Sequence, residues 1–269
     1  MDLSLISRAI FLLILKIKIL ISFLSFFCLY QNIFPQVNTE KFRIATDSIG
    51  FSVRSDIDIT LMAGNTDFSF LGTDTRFNYN WGTDYTFLVV NSGFGINDGK
   101  SFFSQTLLHL RNVNSVSDFV SIEEFLQYND NKQILLLHRA LIGGGLRLKL
   151  INNDEITMRI GPAIFFEYES YNLDAAAKHK SKVNHARLSL YLTSLLKLQE
   201  GISFLSIMYL QPKVNDFKDL KILFDSALNI KLGKTVDFVV KLQIRYDSLP
   251  ADTIEKFDLV TKLGIALNL

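Results

Sequence analysis

Residues 257–269, Phe-Asp-Leu-Val-Thr-Lys-Leu-Gly-Ile-Ala-Leu-Asn-Leu, alternate in polarity with a period of two. Phe257, Leu259, Leu263, Ile265, Leu267 and Leu269 fall on one face, with Thr261 the exception. Asp258, Lys262, Gly264, Ala266 and Asn268 fall on the other, with Val260 the exception. Such alternation marks a strand, because successive side chains of an extended chain point to opposite sides. Soluble strands average about 5–6 residues. A run of this length suits a tilted strand that crosses a bilayer, with one face toward lipid and the other toward a polar lumen.

The pattern recurs. Twelve candidate strands are predicted, at roughly 50–62, 67–79, 84–95, 102–112, 118–128, 133–150, 156–171, 185–197, 202–213, 220–231, 235–247 and 257–269. In 235–247, Val236, Phe238, Val240, Leu242, Ile244 and Tyr246 oppose Asp237, Lys241, Gln243, Arg245 and Asp247, broken by Val239. In 84–95 either face could be the outer one, and in 118–128 Glu124 interrupts the apolar face. Connector lengths agree with an even-stranded barrel that has short periplasmic turns and longer outer loops. Segments 172–184, 214–219 and 248–256 are predicted outside, and 151–155, 198–201 and 232–234 on the periplasmic side. Tyr79, Trp81 and Tyr85 at one turn, and Tyr168, Tyr171, Tyr246 and Phe257 near outer loops, suit an aromatic girdle. The predicted fold class is all-β, a transmembrane antiparallel up-and-down barrel of about 12 strands.

Composition fits. Phe is abundant (23) and Pro scarce (4), as in a chain made of strands. Net charge is +1, which supplies no global attraction to nucleic acid. The single cysteine, Cys28, lies in an apolar leader. Residues 1–36 read as a cleavable signal peptide. Arg8, Lys16 and Lys18 supply its charge, Ile19–Tyr30 its apolar core and Gln31–Gln36 its polar end. Residues 37–49 then form a short periplasmic segment before the barrel at 50–269. An uncleaved anchor over Ile10–Tyr30 would leave Lys16 and Lys18 in hydrocarbon. A lipid anchor on Cys28 would need small residues where Ser25-Phe-Phe-Cys28 has bulky ones. A soluble lipocalin-type barrel would need the inverse polarity, apolar inside and polar outside.

Two stretches carry a family resemblance. Asp58-Ile-Thr-Leu-Met-Ala-Gly-Asn-Thr-Asp67 resembles the turn that closes the first hairpin of the salt-stress-induced outer-membrane proteins (YdiY-like, domain-of-unknown-function family 481). Arg139-Ala-Leu-Ile-Gly-Gly-Gly-Leu-Arg147 is similar to the arginine and glycine-rich strand in that family's middle. The resemblance covers roughly 50–269 and implies a barrel in the outer membrane, without an agreed biochemical activity. Independently of it, Gly64-Asn65 supplies residues that tolerate the positive φ of a tight hairpin turn. Gly143-Gly144-Gly145 inside a strand marks a bend, or bare backbone against which lumen side chains pack.

If the polar faces point inward, the lumen holds bases and acids in near balance. An ion-paired, largely filled interior follows more naturally than a selective pore, which shows an excess of one sign. The candidate lumen charge cluster is Arg139, Arg147, Arg159, Glu167, Glu169, Lys241 and Arg245, with Glu167 and Glu169 sharing a face beside Arg159. Of the histidines, His179 and His185 lie at a polar loop, His109 points inward and His138 outward. Only His138 could serve a lipid hydrolase working on the outer wall, and no serine motif adjoins it. No catalytic residue, cofactor or metal ligand is assigned. The expected function is an outer-membrane barrel with a structural or passive small-solute transport role in envelope or osmotic (salt) stress. Alternatives are a lipid-modifying enzyme and a surface binding protein using the outer loops. Expected partners are outer-membrane lipid, lipopolysaccharide and the barrel-assembly machinery, with no nucleic acid, for a monomer in the outer membrane of a Gram-negative bacterium.

Overall fold

The computed structural model describes residues 49–62, 68–97 and 100–268. The expected leader at 1–36, nearly all of the 37–49 segment and the Gly64-Asn65 turn lie outside the described residues. Twelve strands close into one antiparallel barrel in which each strand pairs with its neighbours in sequence and the last returns to the first. They are β1 (Gly50–Met62), β2 (Phe68–Asn80), β3 (Tyr85–Asn97), β4 (Lys100–Ser115), β5 (Val120–Asn131), β6 (Leu136–Asn152), β7 (Ile156–Tyr171), β8 (Lys182–Gln199), β9 (Ile202–Lys213), β10 (Asp216–Lys231), β11 (Val236–Asp247) and β12 (Phe257–Asn268). The β1–β12 seam runs from Arg54 opposite Asn268 to Ile57 opposite Ile265. Closure removes the exposed strand edges that hydrocarbon could not satisfy.

The two ends of the barrel differ. One carries the short turns 81–84, 116–119, 153–155, 200–201 and 232–235, and is called here the turn end. Gly82 and Gly201 make two of those turns in the positive-φ region, at φ 112° and 76°. The other, the loop end, carries the longer connections 172–181 and 248–256 and the 3-10 turn Lys132–Ile134.

Alternation along the strands becomes alternation across the wall. In β11, Asp237, Val239, Lys241, Gln243 and Arg245 are buried and the residues between them are not. Outward positions carry Ile57, Leu71, Phe94, Leu126, Ile142, Phe166, Leu188 and Leu263, all exposed. In β3 the ambiguity resolves with Phe87, Val89 and Asn91 inside. Glu124, the fifth residue of β5, faces outward, and the Asn112 amide donates to its carboxylate at 3.1 Å.

Two aromatic assignments require correction. Tyr85 and Tyr171 face the lumen: Tyr85 stacks on Phe87 with ring centroids 6.3 Å apart, and Tyr171 is buried with Leu136 and Ala251. An alternation that places Phe87 and Glu169 inside must carry the residues two positions away to the same side. Tyr79 and Trp81 do sit outward at the turn end, 4.9 Å apart.

Glycine makes room for the filling of the lumen. A Cβ on Gly161 would enter the Tyr191 ring, and one on Gly143 would enter Phe125 and Phe165. Bare backbone is what lets these rings lie against the wall. Gly161→Val is therefore expected to destabilise the barrel by about 1–3 kcal/mol, the range for overpacking, read as a lower temperature for loss of the compact, heat-modifiable band on gels. An unchanged transition would show that Tyr191 repacks freely.

Candidate functional site

Among the described residues, four polar networks stand out on the inward faces. The largest lies toward the loop end. Glu167 and Glu169, two residues apart on β7, share a face, and Arg139 on β6 is the direct ladder partner of Glu169. The Arg139 guanidinium donates to Glu167 at 2.9 and 2.5 Å and lies 3.2 Å from Glu169. Arg187 on β8 pairs with the other Glu167 oxygen. It also donates to the Asp219 carboxylate at 2.8 Å, and to the backbone carbonyls of Gln211 and Asp219. Lys221 reaches Glu169 at 2.7 Å, and the Tyr171 hydroxyl donates to Glu169 at 3.0 Å. Arg139, Arg187 and Lys221 thus balance Glu167, Glu169 and Asp219. All six are buried, and such charges are tolerated only when paired and hydrogen-bonded.

A second network crosses the seam. Lys241 lies 2.7 Å from Asp56 and 3.6 Å from Asp74, and Arg54 lies 3.3 Å from Asp56 and 3.1 Å from Asp237. Asp74 continues through Asn91, which accepts from Gln105 at 3.0 Å, to Asn131, which donates to Gln105 at 3.2 Å. A third network centres on Glu123, which accepts from Arg111 at 3.3 Å, Arg147 at 3.2 Å and the Tyr191 hydroxyl at 2.7 Å. A fourth joins Arg245 to both oxygens of Asp225 at 2.9 Å, with Gln243 at 2.8 Å.

The seven lumen residues expected as one cluster are therefore distributed. Arg139, Glu167 and Glu169 come together, whereas Arg147 belongs with Glu123, Lys241 with Asp56, and Arg245 with Asp225. Arg159 stands opposite Lys149 and is half-exposed toward the turn end. It lies eight residues before Glu167, about 26 Å along a strand at about 3.3 Å per residue. Sharing a face did not make them neighbours. Alternation also turns Arg187 and Lys221 inward but does not bring them to this cluster, and Asp219, expected in the outer loop 214–219, lies buried in β10; their approach depends on barrel curvature rather than spacing.

Apolar side chains occupy much of the remaining lumen. Phe87, Val89 and Leu107 make one buried cluster, and Tyr191, Leu205, Ile207, Tyr209, Leu223 and Val239 belong to another. The Arg76 guanidinium sits 3.7 Å above the Phe87 ring and that of Arg111 lies 5.1 Å from Phe125, close enough for cation–π attraction. At the loop end, Leu136, Tyr171 and Ala251 pack with Ile134, Leu173, Val183 and Ile254. The His179 amide donates to Asp252 at 2.6 Å, which joins the two long loops over the mouth. Three interior cavities lined by described residues hold only about 40, 20 and 40 Å³, room for water and little else. Among the described residues no group of three or more His, Cys, Asp or Glu is placed to hold a metal.

On the outer wall, His138 is exposed and its Nδ1 is 2.8 Å from the Tyr128 hydroxyl. Its ladder partner is Ser170, a serine 32 residues away that no local motif reveals. The histidine's hydrogen bond goes to the tyrosine, not to that serine.

A closed, twelve-stranded antiparallel barrel with an apolar outer wall and a charged, filled interior is a transmembrane barrel of the outer-membrane type. The family model described as "Protein of unknown function, DUF481" matches residues 56–268, and the chain belongs to that family. No curated protein matches it by sequence. Among solved structures, the NanC porin aligns over 81% of this chain and 100% of its own at 8% identity and TM-score 0.50. The translocator domain of the autotransporter NalP from Neisseria meningitidis covers 85% of this chain and 92% of its own at 8% identity and TM-score 0.45. The KdgM porin covers 81% and 99% at 7% identity and TM-score 0.42. At such identities the likeness concerns the fold alone.

Removing one member of the Glu167 network leaves an uncompensated buried charge. Arg187→Met is expected to cost about 3–5 kcal/mol of unfolding free energy, measured by urea titration in detergent. Arg187→Met combined with Glu167→Leu should recover part of that loss. A double variant no better than the single one would show that pairing is not what holds this part of the lumen.

Proposed function

We propose that this protein is a monomeric barrel of the outer membrane of a diderm bacterium, with the turn end toward the periplasm and the loop end outside. In this reading it is a structural element of the envelope rather than an open channel, exported through the inner membrane and inserted by the barrel-assembly machinery. The observation that carries the reading is the filling of the lumen. Strands three apart in the barrel are tied together across the lumen by Lys241 with Asp74, Arg54 with Asn229, Lys221 with Glu169 and Tyr191 with Glu123. A solute path would have to break several such links at once. Passive pores also concentrate one sign of charge, whereas these networks mix both signs: those of Glu167 and Asp225 balance, and the extra base beside Glu123 offsets the extra acid at the seam. The porin and autotransporter barrels that share the fold are too distant in sequence to lend this chain a solute. The resemblance to salt-stress-induced proteins supports a part in tolerance of osmotic or salt stress.

Single-channel recording of the refolded protein in a planar bilayer tests this reading. The folded barrel is expected to be silent, and Phe165→Ala with Tyr191→Ala, which empties the waist, to conduct. Steady conductance of the native protein would replace a structural role with a pore. A deletion strain is expected to lose growth at high salt.

The lipid-hydrolase alternative rests on His138. With Tyr128 as its hydrogen-bond partner the ring is not set to take a proton from Ser170. His138→Ala is expected to leave the lipid composition of the membrane unchanged. Accumulation of uncleaved lipid in that variant would restore catalysis.

A further inference from the structure

The outer wall is not uniformly convex. Toward the loop end it holds an apolar groove of about 780 Å³ across β3–β8, within the size range of sites for drug-sized ligands. Its depth follows from the sequence. One rung of the wall reads Tyr128, Ala140, Tyr168, Asn184 across four strands. Ala140 is thus a single methyl between two tyrosine rings, and in the next rung Ala186 lies beside Phe166. Small side chains form the floor, and aromatic ones the sides.

Asn184 and His185 line the groove, and further polar groups stand just beyond its lining toward the loop end. One rung nearer the loop end, His138, Ser170 and Lys182 stand opposite one another on β6, β7 and β8. His138 is anchored through Nδ1 by Tyr128, so Nε2 is the nitrogen that can meet a ligand. Lys182 is exposed, and Lys132 is exposed on the 3-10 turn that joins the strands bearing Tyr128 and Ala140. Asp130, beside Thr106 and His138, is the acid of this rim. Ammonium and imidazole groups are donors suited to an anion, and phosphate oxygens are strong acceptors for such donors.

We propose that this groove is a binding site for the phosphorylated, acylated disaccharide anchor of lipopolysaccharide, lipid A. Its acyl chains lie over Ala140 and Ala186, and a phosphate lies at Lys182, His138 and Lys132. The assignment rests on the orientation given above, which puts the cationic rim in the outer leaflet. It gives the barrel a specific lipid partner in addition to the bulk membrane.

The test is native mass spectrometry of the full-length protein extracted from outer membranes in mild detergent, with diphosphoryl lipid A as the added probe. One lipid A is expected to remain bound. Filling the groove with Ala140→Phe and Ala186→Leu, or reversing the rim with Lys132→Glu and Lys182→Glu, should weaken retention roughly tenfold, the effect of losing one charge-assisted contact. Leu263→Phe, on a distant part of the wall, should not. Heat-modifiable gel mobility confirms that each variant is folded, and the rim variants leave the groove and the lumen untouched. Equal retention by all variants, no bound lipid A in the native protein, or a glycerophospholipid in its place would overturn the proposal. So would a dimer that Ala140→Phe dissociates, because a second copy would then occupy the groove. A barrel that fractionates with the outer membrane but binds no lipid A sinks this site alone. A protein found in soluble extract sinks the membrane reading with it.

Discussion

Charge pairing inside a closed wall is the constraint on which the rest of this structure depends. Closing twelve strands satisfies the backbone but turns every second side chain toward the opposite wall. The Glu167 side chain is left with no exposed surface and that of Arg187 with 2%. Neither could remain ionised there without a partner. The partners come from strands that are not ladder neighbours: Lys221 on β10 serves Glu169 on β7, and Tyr191 on β8 serves Glu123 on β5. Each such link acts as a cross-brace, and fixes strand positions that the ladder alone would leave free to slip.

Aromatic packing and charge pairing solve the same problem from two sides. Guanidinium edges meet carboxylates while their faces meet rings, as Arg111 does between Glu123 and Phe125. A ring that covers a guanidinium face takes the place of water without needing a hydrogen bond. Gly143 and Gly161 belong to this arrangement, since a side chain at either would occupy the space of Phe165 or Tyr191. The lumen therefore resembles the core of a soluble protein with ion networks threaded through it, more than a polar channel.

This mixture explains what sequence could and could not reveal. Strand existence and facing were legible wherever polarity alternated cleanly, as in β10 and β11, because a period of two has a single structural meaning. The closed twelve-stranded barrel followed from that and from the connector lengths. Facing was illegible in β3, where Phe87 and Val89 fill the lumen and Leu88 and Val90 cover the outside, so polarity carried no contrast. Tyr171 misled for the same reason, since an aromatic near a strand end suits a girdle and a plug equally. Charge partners were beyond reach. Arg139 opposite Glu169 is one ladder step, but Arg187 with Asp219 spans β8 to β10 and depends on how tightly the wall curves. Arg159 shows the converse error, in which a shared face stood in for distance.

The two surfaces of the wall are held to different standards. An inward residue is fixed by identity, because replacing Glu123 removes the one carboxylate that Arg111, Arg147 and Tyr191 are shown to share. An outward residue in the hydrocarbon is fixed only by polarity, because one aliphatic side chain serves lipid much as another does. Outward positions that break the polarity rule are consequently the informative ones. Glu124 breaks it within β5, where the Asn112 amide meets its carboxylate. His138, Asn184 and Lys182 break it together at the loop end, on neighbouring strands, around the one alanine that two tyrosines flank. Bulk lipid requires neither that grouping nor that hollow, whereas an amphiphile with an anionic head requires both.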